Sequence, residues 1–232
     1  ELNTDAVQDL WKDPVLHYSN VLQGLFCQQA VICEADADCR FFYAGLSELA
    51  HEKQISMAAD ETLFIPANGK SHVPAFASTL TPLHTKLFTI LDFDVLRVKN
   101  DIKKIVESFG HIWDTSLENE YMLMARGVNG NQRWEELKHT GISGFPSGEA
   151  YQSLRRLVDH LAEYGILILP VGELEDLDKN VASEGTSAKS LHGAKWVNTM
   201  LKENKHKTNS EARKILSRVL QTFVVEKPST LR

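Results

Sequence analysis

Cysteine is scarce in this chain. Its three residues, Cys27, Cys33 and Cys39, cannot all pair and show no CxxC spacing. That argues against a zinc site and leaves small buried thiols as the expectation. No window approaches eighteen uninterrupted apolar residues, so a membrane-spanning helix is excluded. The opening Glu1-Leu2-Asn3-Thr4-Asp5 lacks the basic-then-apolar pattern of a secretory signal, and the expected location is the cytoplasm. There is no initiating Met, so a piece of a longer protein is expected. The nine histidines form no HExxH or HxH pair; the chain also lacks a GxxxxGK[ST] phosphate loop, adjacent aspartates and any internal repeat.

What is present is an ordinary globular balance, 43% apolar and 24% charged over 232 residues, which excludes wholesale disorder. The charge is uneven. Residues 1–188 carry 15 basic and 28 acidic groups, a net of −13, whereas residues 189–232 carry 10 and 3, a net of +7. An acidic body beside a basic end suits an electronegative site next to a phosphate-facing surface; a solvated helical face explains the basic end equally simply.

Apolar spacing predicts a helix over 13–27, then a buried strand at Ala30-Val31-Ile32-Cys33 and a helix reaching about His51. Further strands are predicted at Thr62–Pro66, Leu87–Leu91 and Ile166–Leu169, with helices over 73–86, 99–109, 194–203 and 210–223. The stretch 113–164 reads as a helical insertion, and 209–232 as a basic carboxyl-terminal helix and tail. Residues 1–112 and 165–208 would form the core. Strands alternating with helices predict an α/β fold with a central, mostly parallel sheet flanked by helices.

In such sheets, sites form beyond the carboxyl ends of the strands. Three of the four predicted ends carry carboxylates: Glu34 with Asp38, Asp92 with Asp94, and Glu173 with Glu175. Each cluster alone suits helix capping or solvation. Six carboxylates converging without counterions would raise each other's pKa values, and two divalent ions relieve that repulsion. Hard oxygen donors suit Mg²⁺ or Mn²⁺, and two such ions suit in-line displacement at phosphorus.

Val31-Ile32-Cys33-Glu34-Ala35-Asp36-Ala37-Asp38 resembles the strand–Glu–helix opening of a Toprim domain, and Ile90-Leu91-Asp92-Phe93-Asp94 resembles its later DxD motif. Adding the Gly69-Lys70 turn, the Gly172-Glu173-Leu174-Glu175 element and the helical insertion, residues 28–205 resemble the Toprim catalytic region of OLD (overcoming lysogenization defect) family nucleases, class 2-like. The resemblance implies a metal-dependent DNA endonuclease or nickase with two Mg²⁺ or Mn²⁺ ions. It also implies an amino-terminal ATPase in the same full-length chain and a homodimeric whole. Glu34 would be a metal ligand or the base for the attacking water. Asp92 and Asp94 would hold metal, and Asp38, Glu173 and Glu175 would complete the site. A lysine near the scissile phosphate is also implied: Lys195 is the first candidate, Lys189 the second and Lys70 the third.

Two other readings compete. A dehalogenase-type phosphatase would use Asp92 as nucleophile and Asp94 as acid/base, but it wants the adjacent aspartates this chain lacks and leaves Glu34 unexplained. A non-catalytic assembly module would use the acidic edge only to bind metal or a partner. Lys202, Lys205, Lys207, Arg213, Lys214 and Arg218 would meet a DNA backbone in the nuclease reading. Of the histidines, His192 alone stands near the expected site. Trp113, Trp134 and Trp196 suit base stacking or, more commonly, burial.

Overall fold

The computed structural model describes residue 23 and residues 27–224 apart from 56, 84, 129 and 182–188. Most of the helix expected over 13–27 lies outside these residues. Four short apolar segments pair as one parallel sheet: β1 (Gln29–Cys33), β2 (Thr62–Pro66), β3 (Lys86–Leu91) and β4 (Ile166–Ile168). Their order is β2-β1-β3-β4. The register sets Cys33 opposite both Pro66 and Ile90, and Leu91 opposite Ile168. The strands therefore finish almost level, and whatever follows each one emerges on a single edge. This is the α/β architecture that the strand–helix alternation predicts, and it agrees with the Toprim-like fold that the resemblance implies.

Successive strand side chains alternate between faces, so each strand feeds two cores. On one face Ala30, Ile32, Leu91 and Ile168 pack with α3 (Val73–Leu80), α4 (Lys99–Ser108), α5 (Thr115–Arg126) and α7 (Glu149–Glu163). On the other, Val31, Cys33, Ile90 and Leu167 pack with α1 (Asp36–Glu52), α8 (Lys189–Lys202) and α9 (Ser210–Val224). Burial on both faces is why the strands read as continuous apolar runs. Cys33 and Cys39 are buried, and all three thiols are free.

Two boundaries differ from the expectation. The α-helix expected over 73–86 ends at Leu80 and tightens into a 3₁₀ turn at Thr81–Leu83, because Pro82 has no N–H to donate to the preceding turn. The stretch 113–164 forms α5, α6 (Gly130–Thr140) and α7. Leu117, Tyr121, Leu154 and Leu157 lie in the same buried cluster as the sheet, so these helices share its core. Helix α9 likewise belongs to the fold: Leu216 is fully buried, and a Cβ on Gly45 of α1 would stand 2.8 Å from its Cδ1. No helix among the described residues is long and apolar enough to cross a membrane.

Candidate metal centre

Glu34 is the first residue beyond β1. Its Oε1 accepts the Asp92 N–H at 3.0 Å, and its own carbonyl accepts the Gly69 N–H at 2.8 Å. These bonds tie the ends of β1, β2 and β3 together. Desolvation pushes the Glu34 carboxyl up to about 7; Asp94 and Asp38 add to the rise, against the Asp92 N–H and Lys70. Asp38 lies in the opening turn of α1 and accepts the Ala35 N–H at 2.8 Å, the one half of a capping box that an alanine N-cap allows. It therefore caps, yet its carboxyl is also pushed up to about 6, by desolvation and then by the charges of Glu175 and Asp36.

Asp92 follows β3 directly. Desolvation, then the charges of Glu34, Asp38, Glu173 and Asp94, hold its carboxyl well above the usual range. Asp94 sits in the turn Phe93–Arg97 and pairs with Lys70 Nζ at 2.7 Å. Beyond β4, Gly172 accepts the Phe93 N–H at 2.8 Å, which holds the β4 loop against the DxD element. Glu173 caps the turn Leu174–Leu177, its N–H donating to Asp176 Oδ2 at 3.1 Å. Glu175 reaches the other way: a Cβ on Gly193 of α8 would stand 3.2 Å from its Oε1.

The structure thus brings all six carboxylates into one electrostatic neighbourhood, each half-buried. A donor set of hard carboxylate oxygens in which Glu34, Asp38 and Asp92 are all raised by burial and by neighbouring negative charge is deficient in positive charge. Mg²⁺ or Mn²⁺ fits that deficit and those donors. Among the described residues, the set of three ligand atoms lying within 4.8 Å of one another is His139, Glu173 and Asp176.

That set contains two residues the sequence does not single out. His139 Nδ1 lies 3.7 Å from Glu173 and 3.6 Å from Asp176, and Lys138 Nζ lies 3.2 Å from Glu173. Asp176 directly follows the Glu173-Leu174-Glu175 run, whereas His139 and its neighbour Lys138 give only a weak sequence signal, a histidine and a lysine at the end of a polar helix. Contrary to expectation, His139 joins the site from the presumed insertion; the His192 side chain lies outside the described residues.

The three candidate lysines take different places. Lys195 is exposed on α8 and lines a recess with Asn180, Asn198, Thr199 and Lys205. The helix turns about 100° per residue, so the Lys195 position lies roughly 200° around from Gly193, whose position faces Glu175. Lys189 precedes Gly193 by one turn; its side chain lies outside the described residues. Lys70, the third candidate, is seated on Asp94.

The basic end also differs from the reading of a DNA-facing stripe. Lys207 pairs with Glu48, Arg213 with Glu52 (3.0 Å), Lys214 with Glu211 (2.6 Å), Lys205 with Glu203 (2.9 Å) and Arg218 with Asp159 (3.7 Å). Glu48 and Glu52 lie on α1 and Asp159 on α7, whereas Glu203 and Glu211 are near neighbours of their lysines along the chain. Trp196 is buried against Phe41 and donates to the Asp178 carbonyl at 3.2 Å, which removes it as a base-stacking surface.

The loop that carries Glu173 is held by a close approach at Gly172, which has φ +121°; a Cβ there would stand 2.3 Å from the Lys138 carbonyl. Gly172→Ala is therefore expected to cost roughly 2–4 kcal/mol. A thermal melt within about a degree of wild type would show that the loop relaxes freely.

A parallel α/β sheet with paired acidic clusters at the ends of β1 and β3 defines the Toprim class of metal-binding domains. Residues 25–94 match the overcoming lysogenization defect protein-like TOPRIM domain family, so this part of the chain is an OLD-like Toprim region. The match contains Glu34, Asp38, Asp92 and Asp94, and places the region among nucleic-acid-processing, metal-binding domains. The chain is also 32% identical over 110 residues to a probable protein-L-isoaspartate O-methyltransferase of Dictyostelium discoideum, covering 44% of this chain and 33% of that protein. It therefore spans about a third of that relative's length. No solved structure matches significantly.

Proposed function

We propose that this chain is the catalytic region of a metal-dependent DNA endonuclease or nickase, a cytoplasmic protein whose full length includes an ATPase and forms a homodimer. The observation that carries the proposal is the gathering of half-buried, mutually repelling carboxylates from three strand ends. Glu34, Asp38, Asp92, Asp94, Glu173 and Glu175 are the residues that would hold two divalent ions. When bound, such ions sharpen an attacking water and neutralise charge on the phosphate oxygens.

The remaining work falls to the chain. The Asp92 N–H orients Glu34, and the Ala35 N–H orients Asp38. Lys70 fixes Asp94, and the Gly172 carbonyl fixes the DxD turn. The phosphate-stabilising lysine is assigned to Lys195, with Lys189 as the second candidate. Lys195→Ala should slow cutting roughly 10²-fold and Lys189→Ala less than about threefold; the reverse order would move the role to Lys189.

Conversion of supercoiled plasmid to nicked and linear forms tests the whole reading, with Mg²⁺, Mn²⁺ or EDTA and with Glu34→Ala beside wild type. Metal-dependent cutting lost in the variant supports the nuclease. Equal cutting by both proteins points to a contaminant and removes the site. No cutting with either metal makes the assembly module the leading reading.

A further inference from the structure

We propose that the end of α6 forms a phosphate-contacting wall of the acidic site, with Lys138 as its principal DNA-backbone contact and Lys179 beside it. The inference rests on the nucleic-acid-processing reading and names where the substrate's backbone meets this chain.

The first support is rigidity. Three contacts fasten the end of α6 and the following turn to the loops beyond β4. The Ile142 N–H donates to the Pro170 carbonyl at 2.8 Å, and the Lys138 carbonyl fills the space that a Cβ on Gly172 would need. Lys179 Nζ donates to the His139 carbonyl at 2.7 Å. Such a framework holds a cation in place before any ligand arrives.

The second support is charge. Lys138 Nζ lies 3.2 Å from Glu173 Oε1, and Lys179 Nζ lies 3.6 Å from Asp176 Oδ1, with the His139 ring between the two carboxylates. The Lys138 side chain is 22% exposed, against 60% for Lys179 and 71% for Lys214. It is sunk at the rim of the acidic pocket, beyond what a solvated helix end requires. Cations in a last helical turn favour the helix dipole in any case, but Lys138 is directed across to another element.

The third support is the need for it. A polyanion must approach a pocket that is itself negative, and cations at the rim make that approach favourable. Lys138 and Lys179 pair with Glu173 and Asp176 at the acidic edge, whereas Lys207, Arg213 and Arg218 pair with Glu48, Glu52 and Asp159 elsewhere on the chain. A backbone phosphate that meets Lys138 and Lys179 therefore lies beside Glu173, a carboxylate of the site. In this arrangement the helices between β3 and β4 act as the arm that delivers these cations.

The test is binding of a fluorescein-labelled DNA duplex by the 232-residue chain, read by anisotropy in Ca²⁺ across a salt series. The variants are Lys138→Met, Lys138→Arg, Lys179→Met and Lys214→Met, each checked by thermal melting. Lys138→Met should weaken binding about fivefold or more and lower the salt slope by about one, with Lys138→Arg retaining most of the affinity. Lys179→Met, at a more exposed position, should lower the slope in the same direction, and Lys214→Met should change binding less than about twofold. Wild-type affinity and slope in both Lys138→Met and Lys179→Met would overturn the proposal. So would an equal loss in Lys138→Arg and Lys138→Met, since that points to packing rather than charge. Binding is read without cleavage, so a wild-type chain that binds but never cuts in Mg²⁺ removes the nuclease reading alone. Cutting in Mg²⁺ with unchanged binding in both variants removes this inference alone.

Discussion

Glu34→Gln is expected to raise the melting temperature of the metal-free protein at pH 7.5 by about 6–12 °C. The folded-state carboxyl is raised to about 7 from an ordinary 4.5, chiefly by desolvation. A raised carboxyl contributes stability that is complete below pH 4.5 and is lost as pH climbs through 7. The difference corresponds to about 3 kcal/mol. Gln keeps the volume and an oxygen for the Asp92 N–H, and removes only the charge. Asp38, raised to about 6 from 3.8, moves in the same direction over a lower window.

The wild-type protein in EDTA should therefore melt lower at pH 7.5 than at pH 5, with the slope shallower in Glu34→Gln. Exposed pairs such as Lys207–Glu48 and Arg213–Glu52, whose carboxyls are held low by their partners, stay ionised throughout that interval and do not mask the effect. Adding Mg²⁺ at pH 7.5 should restore the wild type by mass action, about 2.7 kcal/mol at a hundredfold excess over the dissociation constant. It should do much less for Glu34→Gln. A wild-type melting temperature that is flat or rising from pH 5 to 7.5 in EDTA would show that the carboxylates do not burden the fold.

Asp92→Asn should carry the largest functional loss, a fall in plasmid cutting of roughly 10³-fold or more. Asp92 is the carboxylate that four others act on, Glu34, Asp38, Glu173 and Asp94, which marks it as the centre of the cluster. Asn keeps the backbone N–H that orients Glu34 and nearly the same volume, so the loss reports charge and not folding. The same variant should melt no lower than wild type in EDTA. Cutting within tenfold of wild type would place the chemistry elsewhere on the chain.

Much of the fold was legible because its signals are local. Val31-Ile32-Cys33 and Leu87–Leu91 are apolar runs of strand length, and Glu34 and Asp92 end them abruptly. A parallel sheet gathers strand ends on one edge, so the carboxylate positions followed from the strand assignments. Helix ends were less legible, as Leu80 shows, because a proline two residues on withholds the N–H that the α-helix would need and the chain tightens into a 3₁₀ turn. The residues around the carboxylates were harder still. Lys195 was a candidate through the family resemblance, and no local signal told how its position on α8 is phased against Gly193, the position that faces Glu175. Lys138 and His139 gave no motif, because what recruits them is the seating of α6 on Gly172.

The sequence by itself determined the strand–helix alternation, the six acidic residues beyond the strands and their resemblance to an OLD-like Toprim region. Tertiary structure decided which cations meet them. It set Lys207, Arg213 and Arg218 against the protein's own Glu48, Glu52 and Asp159, and brought Lys70, Lys138 and His139 to the acidic edge. The reason is physical: a strand's end is fixed by neighbouring residues, whereas an ion pair between distant elements depends on how helices seat and rotate against the sheet.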